Sequence, residues 1–295
     1  MFRIVAVCPK EYPGVSAVLR NGKSLGYWEF MHLGEEVPPN DLLLLGAWHP
    51  AYEDLLKKYK CVVYLTSTVA QMEFSVNSVE LNQVECIRIH LAEKRIKAAL
   101  SGWPDVVSMF PDAKSLYCPY PFDTRPYESF KAEQKILNSV GLFSTYEPRK
   151  NISNQLLAAL NAGVELHTNL PLTGRFIFPY GWLPEAEYHR ILSRLMASLH
   201  CGFAESFCYA AAEALLLGTL PIVSTQIAEN LGLTNFLACH QCDSFINILM
   251  KIKMILPMNE REYNSILEVE RENLLNRLKK YSEITKNVLD EIRKI

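Results

Sequence analysis

The chain has 295 residues, about twice the ~150 of an ordinary single domain, so two domains of similar size are expected. At 49% hydrophobic and 21% charged residues it is too apolar for disorder, and 30 basic against 32 acidic residues leave no cationic excess for a nucleic-acid backbone. The longest apolar runs, 42–48 and 210–223 with Glu213 inside it, fall short of the ~20 residues that cross a bilayer.

Residues 3–8 read as a first strand, because the run is shorter than a signal-peptide core and Pro9-Lys-Glu11 follows at once. With no export signal, the eight scattered cysteines are expected to be reduced and mostly buried, in the cytosol. Strands are predicted at 42–45 and 61–65 with an amphipathic helix at 51–59 between them, the βαβ pattern of a parallel sheet. In 78–100 the alternation Val84-Glu-Cys-Ile-Arg-Ile89 suggests a strand and 91–100 has helical propensity; the boundary stays open. Three prolines in 118–126 forbid a regular helix or central strand and mark a hinge between α/β halves.

Past the hinge the pattern restarts. Strands are expected at 136–141, near 175–178, near 196–200 and at 221–224, alternating with helices at 153–162, 184–193 and 207–217. Residues 259–295 carry leucine and isoleucine at helical spacing among mixed charges, which predicts long terminal helices lying over the body. The expected segments are 1–126, 127–258 and 259–295. Cys239-His-Gln-Cys242 lacks the second pair that a zinc site needs, so it reads as cysteine near a turn and no metal is expected.

The chemistry concentrates in residues 202–224. Here a strand is followed by a helix opening near Ser206, a glycine at position 218 suited to a helix stop, and a returning strand. Glu205 precedes that helix and Glu213 lies within it, with a rise of ~12 Å between their backbones at helical spacing. Between them the helix N-terminus offers unpaired amides and partial positive charge to a diphosphate. Glu213, isolated on an apolar face, needs a partner, and a ribose diol offers two hydroxyl donors. A surface position, or a pairing with an arginine such as Arg175, would satisfy it equally, and Glu205 would then merely favour the helix start.

This stretch resembles the signature of retaining glycosyltransferases of the GT-B fold, with their Glu-x7-Glu motif. Glu205, Phe207, Glu213, Ala214, Gly218, Pro221 and Val223 fall in register with it. Asn138-Ser-Val-Gly141, Pro148-Arg-Lys150-Asn-Ile152, the Gly-Trp-Leu run at 181–183 and Tyr120-Pro-Phe-Asp123 resemble further family segments. The resemblance implies two Rossmann-like parallel-sheet domains facing a central cleft, with C-terminal helices, and an enzyme that transfers a sugar from a nucleotide-sugar with retention and without a metal. It implies that Glu213 holds the ribose and Glu205 the donor sugar. Lys150 meets the diphosphate, and the amides of Phe207 and Cys208, beside Ser206, complete the phosphate cradle.

Two positions depart from the family. Leu142 stands where arginine is usual, with Arg149 as the substitute contact, and Cys208 replaces a glycine. In the first half, Gly14 occupies the place of a glycine-rich loop. His49 is a candidate to face the donor sugar, and Thr66 and Ser67 follow a strand end where α/β ligands bind. Trp48 and Trp182 suit either sugar stacking or the core. The acceptor, whether carbohydrate, lipid or protein, is not fixed by these motifs. Basic clusters at 57–60 and 94–97 permit peripheral membrane contact without requiring it. Another GT-B chemistry such as epimerisation, or a non-catalytic sugar-nucleotide-binding scaffold, would share the donor half.

Overall fold

In the computed structural model, which describes residues 3–38, 41–73, 79–111, 113–128, 130 and 134–295, every described strand belongs to one of two parallel sheets. The first holds β1 (Ile4–Cys8), β2 (Glu29–His32), β3 (Leu42–Gly46), β4 (Lys60–Leu65), β5 (Ile96–Ser101) and β6 (Ser115–Tyr117), in the order β2-β1-β3-β4-β5-β6. The second holds β7 (Ser139–Leu142), β8 (Glu165–Thr168), β9 (Ile177–Pro179), β10 (Ala197–His200), β11 (Leu220–Ser224) and β12 (Ala238–Cys239), in the order β12-β11-β10-β7-β8-β9. Each sheet reverses direction beside its first strand, and such switch points open a crevice at the carboxyl ends of the strands.

The helices are α1 (Pro13–Ser24), α2 (Glu53–Leu56), α3 (Val69–Glu73), α4 (Val79–Ala92), α5 (Pro104–Val107), α6 (Arg125–Glu128), α7 (Ile152–Ala162), α8 (Glu185–Arg194), α9 (Tyr209–Leu216), α10 (Thr225–Leu231), α11 (Phe245–Ile255) and α12 (Glu260–Ile292). The contiguous burial of β1, β3 and β4, with every residue of Ile4–Cys8 and Leu42–Gly46 inside, is what a parallel sheet covered on both faces requires. Contacts divide the chain into two units, Met1–Asp123 with Leu278–Ile295, and Thr124–Arg277. The terminal segment is thus one helix whose residues belong to both units, where the sequence suggested a separate layer of helices.

Several elements differ from expectation. The open stretch resolves as a helix over Val79–Ala92 and a strand over Ile96–Ser101, the reverse of the alternation at 84–89. Val84, Ile87 and Leu91 are buried at spacings of three and four, a helix face that the neighbouring Ile89, 46% exposed, disguised. The predicted helix at 51–59 is a 3₁₀ turn, Pro50–Tyr52, followed by the short α2. Polar β8 escaped the sequence reading because its His167 and Thr168 are buried by tertiary contacts alone.

Candidate functional site

The first half of the site is built at the carboxyl ends of β7 and β10, the switch point of the second sheet. After β7 the chain makes a 3₁₀ turn, Pro148–Lys150, and enters α7 through Asn151 in the left-handed conformation (φ 55°). Asn151 Nδ2 donates to the carbonyls of Cys201 (2.9 Å) and Cys242. Gln155 Nε2 donates to the Lys150 carbonyl (2.7 Å) while its Oε1 accepts the Cys201 N–H (2.9 Å). These bonds tie the Lys150 turn to the end of β10. The Phe203 N–H closes the junction on the Arg149 carbonyl (2.7 Å). Gly202 fits closely there, since a Cβ would stand 3.2 Å from that carbonyl and from Glu205 Cγ, a tight contact.

The consequence is a charge cluster. Lys150 Nζ donates to Glu205 Oε1, Arg149 Nη1 lies 3.6 Å from Glu205 Oε2, and Arg149 Nε lies 2.7 Å from Glu147 Oε2. Glu205 is buried, its side chain 10% exposed, and these cations are the counter-charges it meets there. The positive charge of Lys150 also reaches His200 at the end of β10, whose imidazole burial and that charge hold at about 3.

The segment leading to the motif helix corrects the expected helix start. Ser206, Phe207 and Cys208 lie before α9, which begins at Tyr209, because Cys208 has φ 59° and cannot continue a right-handed helix. That left-handed backbone is one that favours glycine, the residue the resemblance led us to expect at position 208. Phe207 is fully buried and anchors the turn, and the Ser206 carbonyl accepts from Asn230 Nδ2 (2.8 Å). Burial pushes the Cys208 thiol up to about 12. Glu213 therefore stands only ~6 Å of helical rise from Tyr209, and the estimate of ~12 Å from Glu205 does not apply, because Glu205 is outside the helix.

Glu213 has a different setting. Among the described residues its carboxylate has one hydrogen-bond partner, the Tyr127 hydroxyl, which donates to Oε1 (3.2 Å). No cation among the described residues pairs with it, and Arg175 instead lies over the Phe176 ring, 5.2 Å from its centroid. Burial raises the Glu213 carboxyl to about 7, against the lowering effect of the Tyr127 bond.

The other end of α9 is held by groups that sequence reasoning missed. Arg271 Nε and Nη2 donate to the carbonyls of Leu215 (2.9 Å) and Leu216 (2.6 Å), and the Tyr263 hydroxyl and Lys135 Nζ donate to Gly218. Cations at a helix C-terminus satisfy its orphan carbonyls and complement its dipole. Tyr263 and Arg271 come from α12, expected merely to cover the core; nothing in its periodicity distinguishes them from solvated side chains.

In the first unit, His49 and the segment before α1 meet at the switch point between β1 and β3. His49 Nδ1 accepts the Ala51 N–H (3.2 Å), its Nε2 lies 3.5 Å from Glu11 Oε1, and the Tyr12 hydroxyl donates to the Trp48 carbonyl (3.4 Å). Gly14 is not in a loop but in the first turn of α1, where an added Cβ would meet nothing within 4 Å. Close backbone approach within the described chain therefore does not demand glycine there. The Thr66 carbonyl accepts from the buried Tyr120 hydroxyl (2.9 Å) at the end of β4. Trp48 is in the core at 5% exposure, whereas Trp182 is 81% exposed. Leu142 ends β7 fully buried. Cys239 shares a hydrogen bond with Cys201, and among the described residues no group of three or more His, Cys, Asp or Glu is placed to hold a metal ion. The structure thus brings together Lys150, Arg149 and Glu205, with Ser206, Phe207, Cys208 and Glu213 following in the same unit, and assigns His49, Gly14 and Thr66 to the other.

Solved structures share this architecture. The α,α-trehalose-phosphate synthase (UDP-forming) from Burkholderia vietnamiensis aligns with a TM-score of 0.67 at 11% identity, over 99% of this chain and 100% of its own. The fold is GT-B. Sucrose-phosphate synthase from Thermosynechococcus elongatus aligns with a TM-score of 0.64 at 12% identity, over 99% and 98% of the two chains. TarM of S. aureus, in complex with Fondaparinux, alpha-GlcNAc-glycerol and UDP, aligns with a TM-score of 0.63 at 11% identity over 93% of this chain. This chain spans 58% of the length of that TarM chain. No protein-family model and no curated protein sequence matches it. At such identities the likeness establishes the GT-B fold alone.

Proposed function

We propose that this GT-B chain is a glycosyltransferase that moves a sugar from a nucleotide-activated donor to an acceptor hydroxyl, with retention and without a metal ion. The observation that carries the reading is the Lys150–Glu205 pair at the switch point of the second sheet, followed in the chain by a helix bearing Glu213, which has no cationic partner among the described residues. An acidic group buried at that cost is explained by a ligand that donates to it, and a ribose diol does so.

In this reading Glu213 accepts the ribose hydroxyls, Glu205 accepts hydroxyls of the donor sugar, and Lys150 and Arg149 exchange their carboxylate partners for diphosphate oxygens. The phosphate-binding amides are those around Cys208 and the first turn of α9, which Ser206 and Phe207 position. As the bond from the anomeric carbon to the phosphate oxygen breaks, the electron pair stays on the diphosphate. Lys150 therefore stabilises the transition state more than the bound donor. His49, Gly14 and Thr66 are proposed as the first unit's contribution. Acceptor recognition, by carbohydrate, lipid or protein groups, belongs to loops outside the motif.

Two of the structural neighbours name UDP, which makes it the first nucleotide to test. The decisive experiment incubates the protein with radiolabelled UDP-sugars and a panel of acceptors in EDTA, and reads the anomeric configuration of the product by NMR. Label transferred in EDTA with the donor configuration kept is the expected result. Nucleotide binding without transfer to any acceptor would favour a non-catalytic scaffold, and transfer restored only by a divalent ion would remove the metal-free mechanism.

A further inference from the structure

The first unit contains a cleft of about 570 Å³ between the C-terminal end of α4 and the segments that lead into β5 and β6. That volume lies in the range of small-molecule sites, roughly 300–1,000 Å³. It opens at the amino ends of the strands, whereas His49 and Thr66 follow carboxyl ends of the same sheet. Its floor is apolar, formed in part by buried Ile96 and Phe110, and Ile89 on its wall is 46% exposed.

Four cations line the same space: Arg88 from α4, Lys94 and Lys97 around the start of β5, and Lys114 just before β6. Arg88 lies 3.4 Å from Glu85 and Lys114 lies 2.9 Å from Glu291. Neither Lys94 nor Lys97 has a carboxylate partner among the described residues, and Lys97 Nζ donates to the neutral Lys94 carbonyl (2.8 Å). Capping of α4 does not account for them. The carbonyls of Ile89, His90 and Leu91 already accept backbone N–H groups of Glu93, Arg95 and Lys94, at 2.9, 2.9 and 3.0 Å. Lys94 itself holds φ 59°, a helix-terminating conformation in which glycine or asparagine is usual, so a long cationic side chain is kept here at a local cost.

We propose that this cleft binds a phosphate ester with an apolar body, the phosphate between Lys94, Lys97 and Lys114 and the body against Phe110 and Ile89. Lysine meets phosphate as a mobile point charge, and an apolar floor under a cationic rim matches an amphiphilic anion better than a bare one. The site is independent of the proposed transfer reaction. The ester has two natural sources, a lipid headgroup or a free phosphorylated metabolite.

Calorimetry on the full chain with water-soluble dihexanoyl phosphatidic acid, and in parallel with inorganic phosphate, tests the site. The ester is expected to bind at least tenfold more tightly than phosphate. Lys94→Ala/Lys97→Ala should weaken the ester at least tenfold, and the single variant Lys114→Gln should weaken it in the same direction, with unchanged near-UV circular dichroism. Lys57→Ala/Lys58→Ala, in the other basic cluster, should leave it within twofold. Co-sedimentation with phosphatidylcholine vesicles carrying phosphatidic acid, lost in Lys94→Ala/Lys97→Ala, assigns the lipid source; ester binding without sedimentation assigns the free metabolite. Failure of the ester to bind at millimolar concentration, or an equal loss in the Lys57/Lys58 variant, overturns the proposal.

Discussion

The carboxyl ends of the two sheets are furnished differently. In the first unit the strand ends are held by neutral bonds, the Tyr120 hydroxyl on the Thr66 carbonyl and the Tyr12 hydroxyl on that of Trp48, with His49 near an exposed Glu11. In the second unit, the equivalent place carries a charged network in which the partly exposed Lys150, Arg149 and Glu147 gather around the buried Glu205, clamped by Asn151 and Gln155. Left-handed non-glycine residues mark both, Ala47 after β3 in one and Asn151 and Cys208 in the other. A strand end that tolerates motion needs only backbone partners. One that must present buried charge needs fixed counter-charges, because a carboxylate such as Glu205 left alone would cost several kcal/mol.

That contrast can be broken most forcefully at Lys150. In the glycosyltransferase reading, Lys150→Ala should lower kcat roughly 10²–10³-fold, the size seen when one preorganised charge or donor is removed. It should also destabilise the second unit, and Glu205→Gln in the same chain should recover stability but not turnover. Full recovery of turnover in the double variant would reduce Lys150 to a structural counter-ion.

Next in size is Glu213. Glu213→Gln should weaken nucleoside diphosphate binding by roughly 1.5–3 kcal/mol per charge-assisted bond lost, read by calorimetry. Its carboxyl titrates near 7 in the fold against 4.5 as a free group, so the native state binds more protons than the unfolded chain between those values. Stability should therefore fall as pH rises from about 5 to 7, by up to about 3 kcal/mol. Denaturant titrations of Glu213→Gln should lack that slope, and an unchanged slope would place the titrating group elsewhere.

Smaller effects sharpen the picture of the helix between the two acids. Arg271→Ala removes two donors from the end of α9 and is expected to cost about 2 kcal/mol by urea denaturation. Cys208→Gly should be neutral or stabilising by up to about 1 kcal/mol, since it relieves the left-handed backbone, whereas Cys208→Val should cost more than that. A stabilising valine would show that the turn is not held at positive φ in solution.

Local pattern made much of this legible. The buried runs at 4–8, 42–46 and 61–65 are long enough to announce central parallel strands, and the pattern of residues 202–224 identified the strand-helix-strand unit of the candidate site. Where pattern failed, as at 84–89, two periods competed over a few residues and only contact with the sheet decided between them. Gly14 failed for a related reason: a glycine after a strand fits a loop or a helix start equally well until the chain is placed in space.

What the sequence determined by itself is therefore the α/β class and the motif with its two acids, both of which rest on neighbours within a few residues. Tertiary structure alone decided that Lys150 and Arg149 pair with Glu205, that Glu213 meets the Tyr127 hydroxyl, and that α12 supplies the clamp on α9. Those partners lie tens of residues apart in the chain. Their pairing is settled by burial, which raises the cost of an unmatched charge until only a specific arrangement of distant segments can meet it.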